Sequence, residues 1–204
     1  MSVYQSGDGA PPSLLLRFRS AVGDIGLIHG PSRGRLYQWH SRKHGVVDTV
    51  GGLLWPWLGE QKRAQFARAA AEVHRTPPAT ADAQWSEDEL AAWAAGFFDG
   101  EGTVGVYGDA QHPYVSMSLP QAARSGVPST LERFRVAVGA GAVSGPRAIP
   151  SQWSKLPQYR WQVASFDEIA RVIEILRPHA DVVKLRKMDA SLARVREARA
   201  RRLI

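Results

Sequence analysis

Asp99 and Glu101 are the two residues whose types and spacing best suit chemistry. They lie in "AAWAAGFFDGEG" (91–102), one residue apart, with Gly100 and Gly102 interleaved. Carboxylates so placed can hold a hard divalent cation or move protons. The same stretch opens a G-x-G-x-x-G run, Gly100 to Gly105, which also spells a dinucleotide loop. A loop of that kind follows a strand and opens a helix, so that pyrophosphate meets the positive helix N-terminus. Here the predicted helix comes first and the strand second. Phosphate would meet the negative end of a helix dipole beside two acids. The nucleotide loop is excluded, while a solvated acidic turn and a metal-dependent site both stay open from these residues alone.

The elements around the acids are well marked. Ser86 with Glu89 three residues on forms a capping box. Leu90, Trp93, Ala94, Phe97 and Phe98 then recur at helical spacing on one face, and the helix is predicted to stop at Asp99-Gly100. "TVGVYGD" and "HPYVSMSLPQ" follow as two alternating strands.

The chain also repeats itself. Residues 1–23, "MSVYQSGDGAPPSLLLRFRSAVG", align without a gap on residues 117–139, "MSLPQAARSGVPSTLERFRVAVG". Gly30-Pro31 then matches Gly145-Pro146, and Tyr37-x-Trp39 matches Tyr159-x-Trp161. Val50, Leu54, Pro56 and Lys62 fall on Val172, Leu176, Pro178 and Lys184. So long a period indicates duplicated domains rather than a solenoid. Each copy predicts a short helix with Ser as cap and Gly as stop, then a hairpin turning at Gly-Pro. A further helix follows (47–54 and 166–176), then a closing helix with Pro near its start. The segment from Trp85 to Ser116, which bears the two acids, has no counterpart in the first copy. The predicted organisation is residues 1–75 as a first repeat without the motif helix, 76–85 as a Pro- and Thr-bearing linker, and 86–204 as a complete second repeat.

Composition narrows the classes of partner. A net charge of +7 favours a polyanion, because phosphate neutralisation and counterion release drive nucleic-acid binding. A generally basic surface with no nucleic-acid role is the plain alternative. No apolar run reaches membrane-spanning length, and the first residues lack a secretory signal. The absence of Cys excludes disulfides, thiolate metal sites and a Cys nucleophile, and it fits a cytoplasmic location. The six His residues suggest no metal cage; His40 and His44 are four apart but fall outside any predicted helix. Trp55 and Trp57 read as packing residues.

Ala94-Ala95-Gly96-Phe97-Phe98-Asp99-Gly100-Glu101-Gly102 resembles, position by position, the signature of the LAGLIDADG homing endonucleases. The resemblance runs on through the hairpin, the "LERFRVAVG" helix, Tyr159-x-Trp161 and the Pro178–Lys184 segment. It implies an α+β fold of two pseudo-symmetric αββαββα-type repeats forming a β-saddle, with the first repeat truncated at its N-terminus. It further implies site-specific cleavage of double-stranded DNA, with Mg²⁺ as cofactor. By the resemblance Glu101 is the principal metal ligand, and Asp99 ends the helix and assists in binding metal. Gln121 and its repeat partner Gln5 match a polar position near the scissile phosphate. Lys184 and Lys62 match a catalytic basic residue. Arg33, Arg35, Arg42, Lys43, Arg147, Lys155 and Arg160 are the expected DNA contacts; for each, a solvated loop charge is the alternative.

Such an enzyme uses two motif helices, and this sequence supplies one. Three arrangements are compatible with that: a first motif helix encoded upstream of Met1, a homodimer in which a second chain supplies it, or a descendant that binds without cutting. The last would be a DNA- or RNA-binding protein on the same scaffold, such as an intron maturase or regulator.

Overall fold

The computed structural model describes residues 1–79, 84–124, 126–147 and 156–201. The chain folds as two compact units, Met1–Gln84 and Trp85–Ile204.

The first unit runs β1 (Ser2–Ser6), α1 (Ser13–Ala21), β2 (Leu27–Ser32), β3 (Leu36–His40), α2 (His44–Leu54), a 3-10 turn (Trp55–Trp57) and α3 (Glu60–Glu72). Its antiparallel sheet has the order β1-β3-β2. The second unit runs α4 (Glu87–Glu101), β4 (Thr103–Tyr107), β5 (Tyr114–Ala122), α5 (Ser129–Val138), β6 (Ala142–Arg147), β7 (Gln158–Val163), α6 (Phe166–Leu176) and α7 (Val182–Ala200). Its sheet has the order β4-β5-β7-β6. Without β4 that order is the first unit's, strand for strand.

The repeat extends to single contacts. Val3 pairs with Trp39 and Gln5 with Tyr37, just as Leu119 pairs with Trp161 and Gln121 with Tyr159. Phe18 meets Trp39 edge-on at 5.0 Å between ring centroids, and Phe134 meets Trp161 edge-on at 4.7 Å. Each Trp indole N–H donates to a backbone carbonyl at 2.9 Å, Trp39 to Ile25 and Trp161 to Ala140. Burying these indoles is favourable because their one polar group is satisfied. The glycine after each acceptor, Gly26 (φ +80°) or Gly141 (φ +77°), lies against the indole, where a Cβ would collide with the ring.

The structure corrects four local expectations. Ser13 and Ser129 do not cap their helices; they are first helical residues behind Pro12 and Pro128. Proline's fixed φ and missing N–H suit an entry where no partner exists for that N–H anyway. Gly30-Pro31 and Gly145-Pro146 do not make the hairpin turns. Both lie inside a strand, have cis peptide bonds and fall where the pairing register shifts, because proline cannot donate to the ladder. Pro56 and Pro178 precede the closing helices α3 and α7 rather than starting them. Finally, α4 continues past Asp99-Gly100 to Glu101, with Gly102 in the capping position.

Each sheet buries one face against its helices and leaves the other open, the alternation expected of an antiparallel sheet. In the second unit Val104, Val115, Met117, Leu119, Tyr159, Trp161 and Val163 join the core. The intervening residues, among them Tyr107, Ser118, Arg160 and Gln162, form the open face. None of the described strands contains an Asp or Glu.

Candidate active site and nucleic-acid interface

The capping box forms as the spacing predicts. Ser86 Oγ accepts from the Glu89 N–H at 3.2 Å, and the Glu89 carboxylate accepts from the Ser86 N–H at 2.9 Å. Helix α4 then buries Ala94, Ala95, Phe98 and Asp99. The buried stripe is therefore centred on the small residues, and Trp93 and Phe97 pack half-buried beside it. Arg133 of α5 stacks over Trp85 and Trp93, with its guanidinium carbon 4.2 and 5.1 Å from the ring centroids. Gly96 and Gly100 are exposed on the outer side, with open space where a side chain would stand.

At 3.6 residues per turn, residues two apart point to nearly opposite sides of a helix. The two acids separate accordingly. Asp99 is buried, with 6% of its surface exposed. Its Oδ2 accepts the backbone N–H of Asp181 at 2.7 Å. Asp181 is the N-cap of α7, and its own carboxylate accepts from the Val183 N–H at 2.9 Å. A carboxylate at that position meets the positive end of the α7 dipole. Lys184 completes the junction in the opposite sense, since its Nζ donates to the Gly102 carbonyl at 2.7 Å, just past the negative end of α4. The Lys184 ammonium is held below its usual pKa, mainly by burial and secondarily by Lys187. The charges of Asp99 and Asp181 oppose that shift.

Glu101 is exposed, pairs with no described residue, and stands two residues before Thr103, the first open-face position of β4. A divalent magnesium ion takes six oxygens and commonly keeps several waters, needing only one or two protein carboxylates. The unengaged Glu101 fits one such ligand. Among the described residues no group of three His, Cys, Asp or Glu surrounds it, so the remaining oxygens would come from water, substrate phosphate or another carboxylate.

Gln121 belongs to the second unit with Glu101, and Gln5 and Lys62 belong to the first. Gln121 is half-buried near the end of β5, and Gln5 has the equivalent place on β1. Lys62 and Lys184 are each the third residue of a closing helix, but Lys62 is exposed and Lys184 partly buried. Arg160 lies on the open face of β7 opposite Ser144, and Arg147 is at the far end of β6 opposite Gln158. Arg33 and Arg35 occupy the β2–β3 turn, Arg33 with φ +49°. Arg42 and Lys43 follow β3, and all four are exposed. Lys155 lies outside the described residues.

Sequence reasoning did not find the Asp99–Asp181 and Lys184–Gly102 links, each spanning 82 positions. The one available signal was Asp181 just before an apolar pair at a helix start, the pattern of an N-cap.

No family model matches the chain, and no curated protein matches it in sequence. Solved structures do match. The LAGLIDADG meganuclease I-AabMI, bound to uncleaved DNA, superposes with a TM-score of 0.62 at 12% identity, over 98% of this chain and 82% of that one. The LAGLIDADG homing endonuclease I-GzeII in complex with its DNA target gives 0.56 at 14%, over 92% and 76%. I-SmaMI, bound to an uncleaved DNA target in the presence of calcium ions, gives 0.52 at 13%, over 87% and 72%. The fold is that of the LAGLIDADG homing endonucleases, an α+β arrangement with two antiparallel sheets. No helix among the described residues is long and apolar enough to cross a membrane.

Proposed function

We propose that this chain is a site-specific, double-stranded DNA endonuclease of the LAGLIDADG type, with the open sheet faces as its DNA surface. The observation that carries the reading is one exposed, unengaged carboxylate, Glu101, at the end of α4 and at the entry to an acid-free sheet. A two-stranded ribbon fits the major groove of B-DNA. A face of Ser, Gln, Tyr and Arg without Asp or Glu offers hydrogen bonds to bases and none of the repulsion that carboxylates would bring.

In this reading Glu101 would hold Mg²⁺, and Asp99 and Lys184 hold the end of α4 in place. Bound there, the metal would supply a Lewis acid and a more acidic water. Gln121 and Gln5 are assigned to the polar surroundings of the phosphate, and Lys62 to the equivalent of Lys184. Arg33, Arg35, Arg42, Lys43, Arg147 and Arg160 are assigned to the DNA backbone and bases, as is Lys155. Cutting both strands requires a second acid, which a second copy of this chain would bring on its own α4. The exposed Gly96 and Gly100 leave room for such a helix.

The test is a supercoiled plasmid library carrying random inserts, incubated with the full chain and Mg²⁺. Nicked or linear product that disappears with Glu101→Gln supports the reading, and the ratio of linear to nicked product reports whether a second acid is present. Cleavage indifferent to Glu101 would sink it. Tight selective binding with no product would instead leave DNA binding without cleavage on the same scaffold.

A further inference from the structure

The open face of the first sheet carries a histidine pair that cleavage does not use. The His29 ring on β2 and the His40 ring on β3 have centroids 4.8 Å apart, tilted by 43°. They border a hollow of about 530 Å³ that Ser2, Gln38, Ser41 and Arg42 also line. Few other polar groups face the pair. Tyr4 on β1 accepts from Gln38 Nε2 at 2.8 Å, and the Met1 amino group donates to the Ser41 carbonyl at 3.0 Å. Arg33 and Arg35 stand beyond, in the β2–β3 turn. Among the described residues no carboxylate lines the hollow. The acids nearest in sequence, Asp24 and Asp48, face Arg19 and Arg75.

The second repeat is a built-in comparison. Where the first unit has His29 opposite Gln38 and Leu27 opposite His40, the second has Ser144 opposite Arg160 and Ala142 opposite Gln162. The second sheet thus carries a permanent cation, Arg160, where the first has Gln38, and the first carries two imidazoles where the second has Ser144 and Gln162.

We infer that His29 and His40, together with Arg42, form a binding site for a nucleic-acid backbone phosphate that proton uptake strengthens. The inference rests on the DNA-binding part of the reading above. A neutral imidazole has one N–H and one lone pair, whereas a protonated one has two donors and a charge. Two imidazolium ions side by side repel each other, so an anion seated on both is what favours the doubly charged state. Arg42 adds a planar set of donors that matches phosphate geometry. The sign follows from linkage. The complex holds the protonated pair more tightly than the free protein does, so DNA affinity rises as pH falls. In the second unit, Arg160 keeps its charge throughout.

The experiment measures binding of the full chain to a short fluorescein-labelled mixed-sequence duplex by anisotropy, in EDTA to prevent cleavage. Salt titrations are run at about pH 7.5 and about pH 5.5, either side of imidazole titration. The wild type is expected to bind more tightly at the lower pH. Its slope of log Kobs against log salt should steepen by up to about 0.9, the value for one phosphate contact. His29→Ser with His40→Gln, the residues that the second sheet carries at these places, should lose that steepening. Equal pH dependence in the two proteins, or none in the wild type, overturns the histidine site and leaves the DNA reading standing. No salt-dependent binding at either pH overturns both. An imidazole NMR titration needs no variant: the midpoints of His29 and His40 should rise on adding duplex, and unchanged midpoints overturn the site.

Discussion

Asp99 and Glu101 have like chemistry and unlike surroundings. Two positions along a helix turn one inward and the other to solvent, so a single motif provides both an anchor and an exposed carboxylate. Asp99 is the anchor, because a buried backbone N–H at the start of α7 depends on its carboxylate. Asp99→Asn keeps an acceptor but removes the charge facing the α7 dipole and Lys184, and Asp99→Ala removes both. We expect a loss of about 1–3 kcal/mol for the alanine variant and less for asparagine, as is usual when a buried donor loses its partner. Urea denaturation measures it. Equal stability of all three proteins would show that the link holds nothing together. Glu101→Gln, which touches no described partner, should leave stability unchanged within about 0.5 kcal/mol, the range for surface substitutions, while removing the proposed activity.

At the scale of elements, α4 and its glycines divide the work. Gly102 closes the helix against Phe98, whose ring is fully buried, and a Cβ there would overlap it. Its backbone is ordinary, with φ −78°, so the demand is for space alone. Gly102→Ala should therefore destabilise by about 1–3 kcal/mol through overpacking. Gly100 faces open space, and Gly100→Ala should be neutral or stabilising by up to about 1 kcal/mol, since alanine is the better helix former. Thermal unfolding of the two variants gives the comparison. If a second α4 packs on Gly96 and Gly100 during cleavage, Gly100→Ala should also lower the linear product while the fold stays intact. Unimpaired double-strand cleavage by that variant would remove the helix-pairing part of the proposal.

Across the whole molecule, charge placement matters more than the net value. Among the described residues, acids are confined to helices and connections, and the strands carry none. Arg33, Arg35, Arg42, Lys43, Arg147 and Arg160 are the described cations assigned to DNA. If all six contact phosphates, log Kobs for duplex DNA should fall with log salt at a slope of about −5 at neutral pH. A slope near zero would mean that the basic character serves something other than a polyanion.

Much of this protein is legible without coordinates. The repeat, the capping box, the polarity of α4 before β4 and the alternating strands are local in sequence, because periodicity and capping act over a few residues. The internal alignment even fixes which residues are equivalent, such as Gln5 with Gln121 and Lys62 with Lys184. The Gly-Pro pairs were legible as landmarks yet misplaced as turns, since whether a proline sits in a turn or a strand bulge depends on what the next strand pairs with. Only the tertiary structure decided that Asp99 faces α7, that Lys184 reaches the Gly102 carbonyl and that His29 meets His40. Each of these contacts depends on strand register or helix packing between distant segments, and long-range geometry of that kind leaves no periodic trace in the chain.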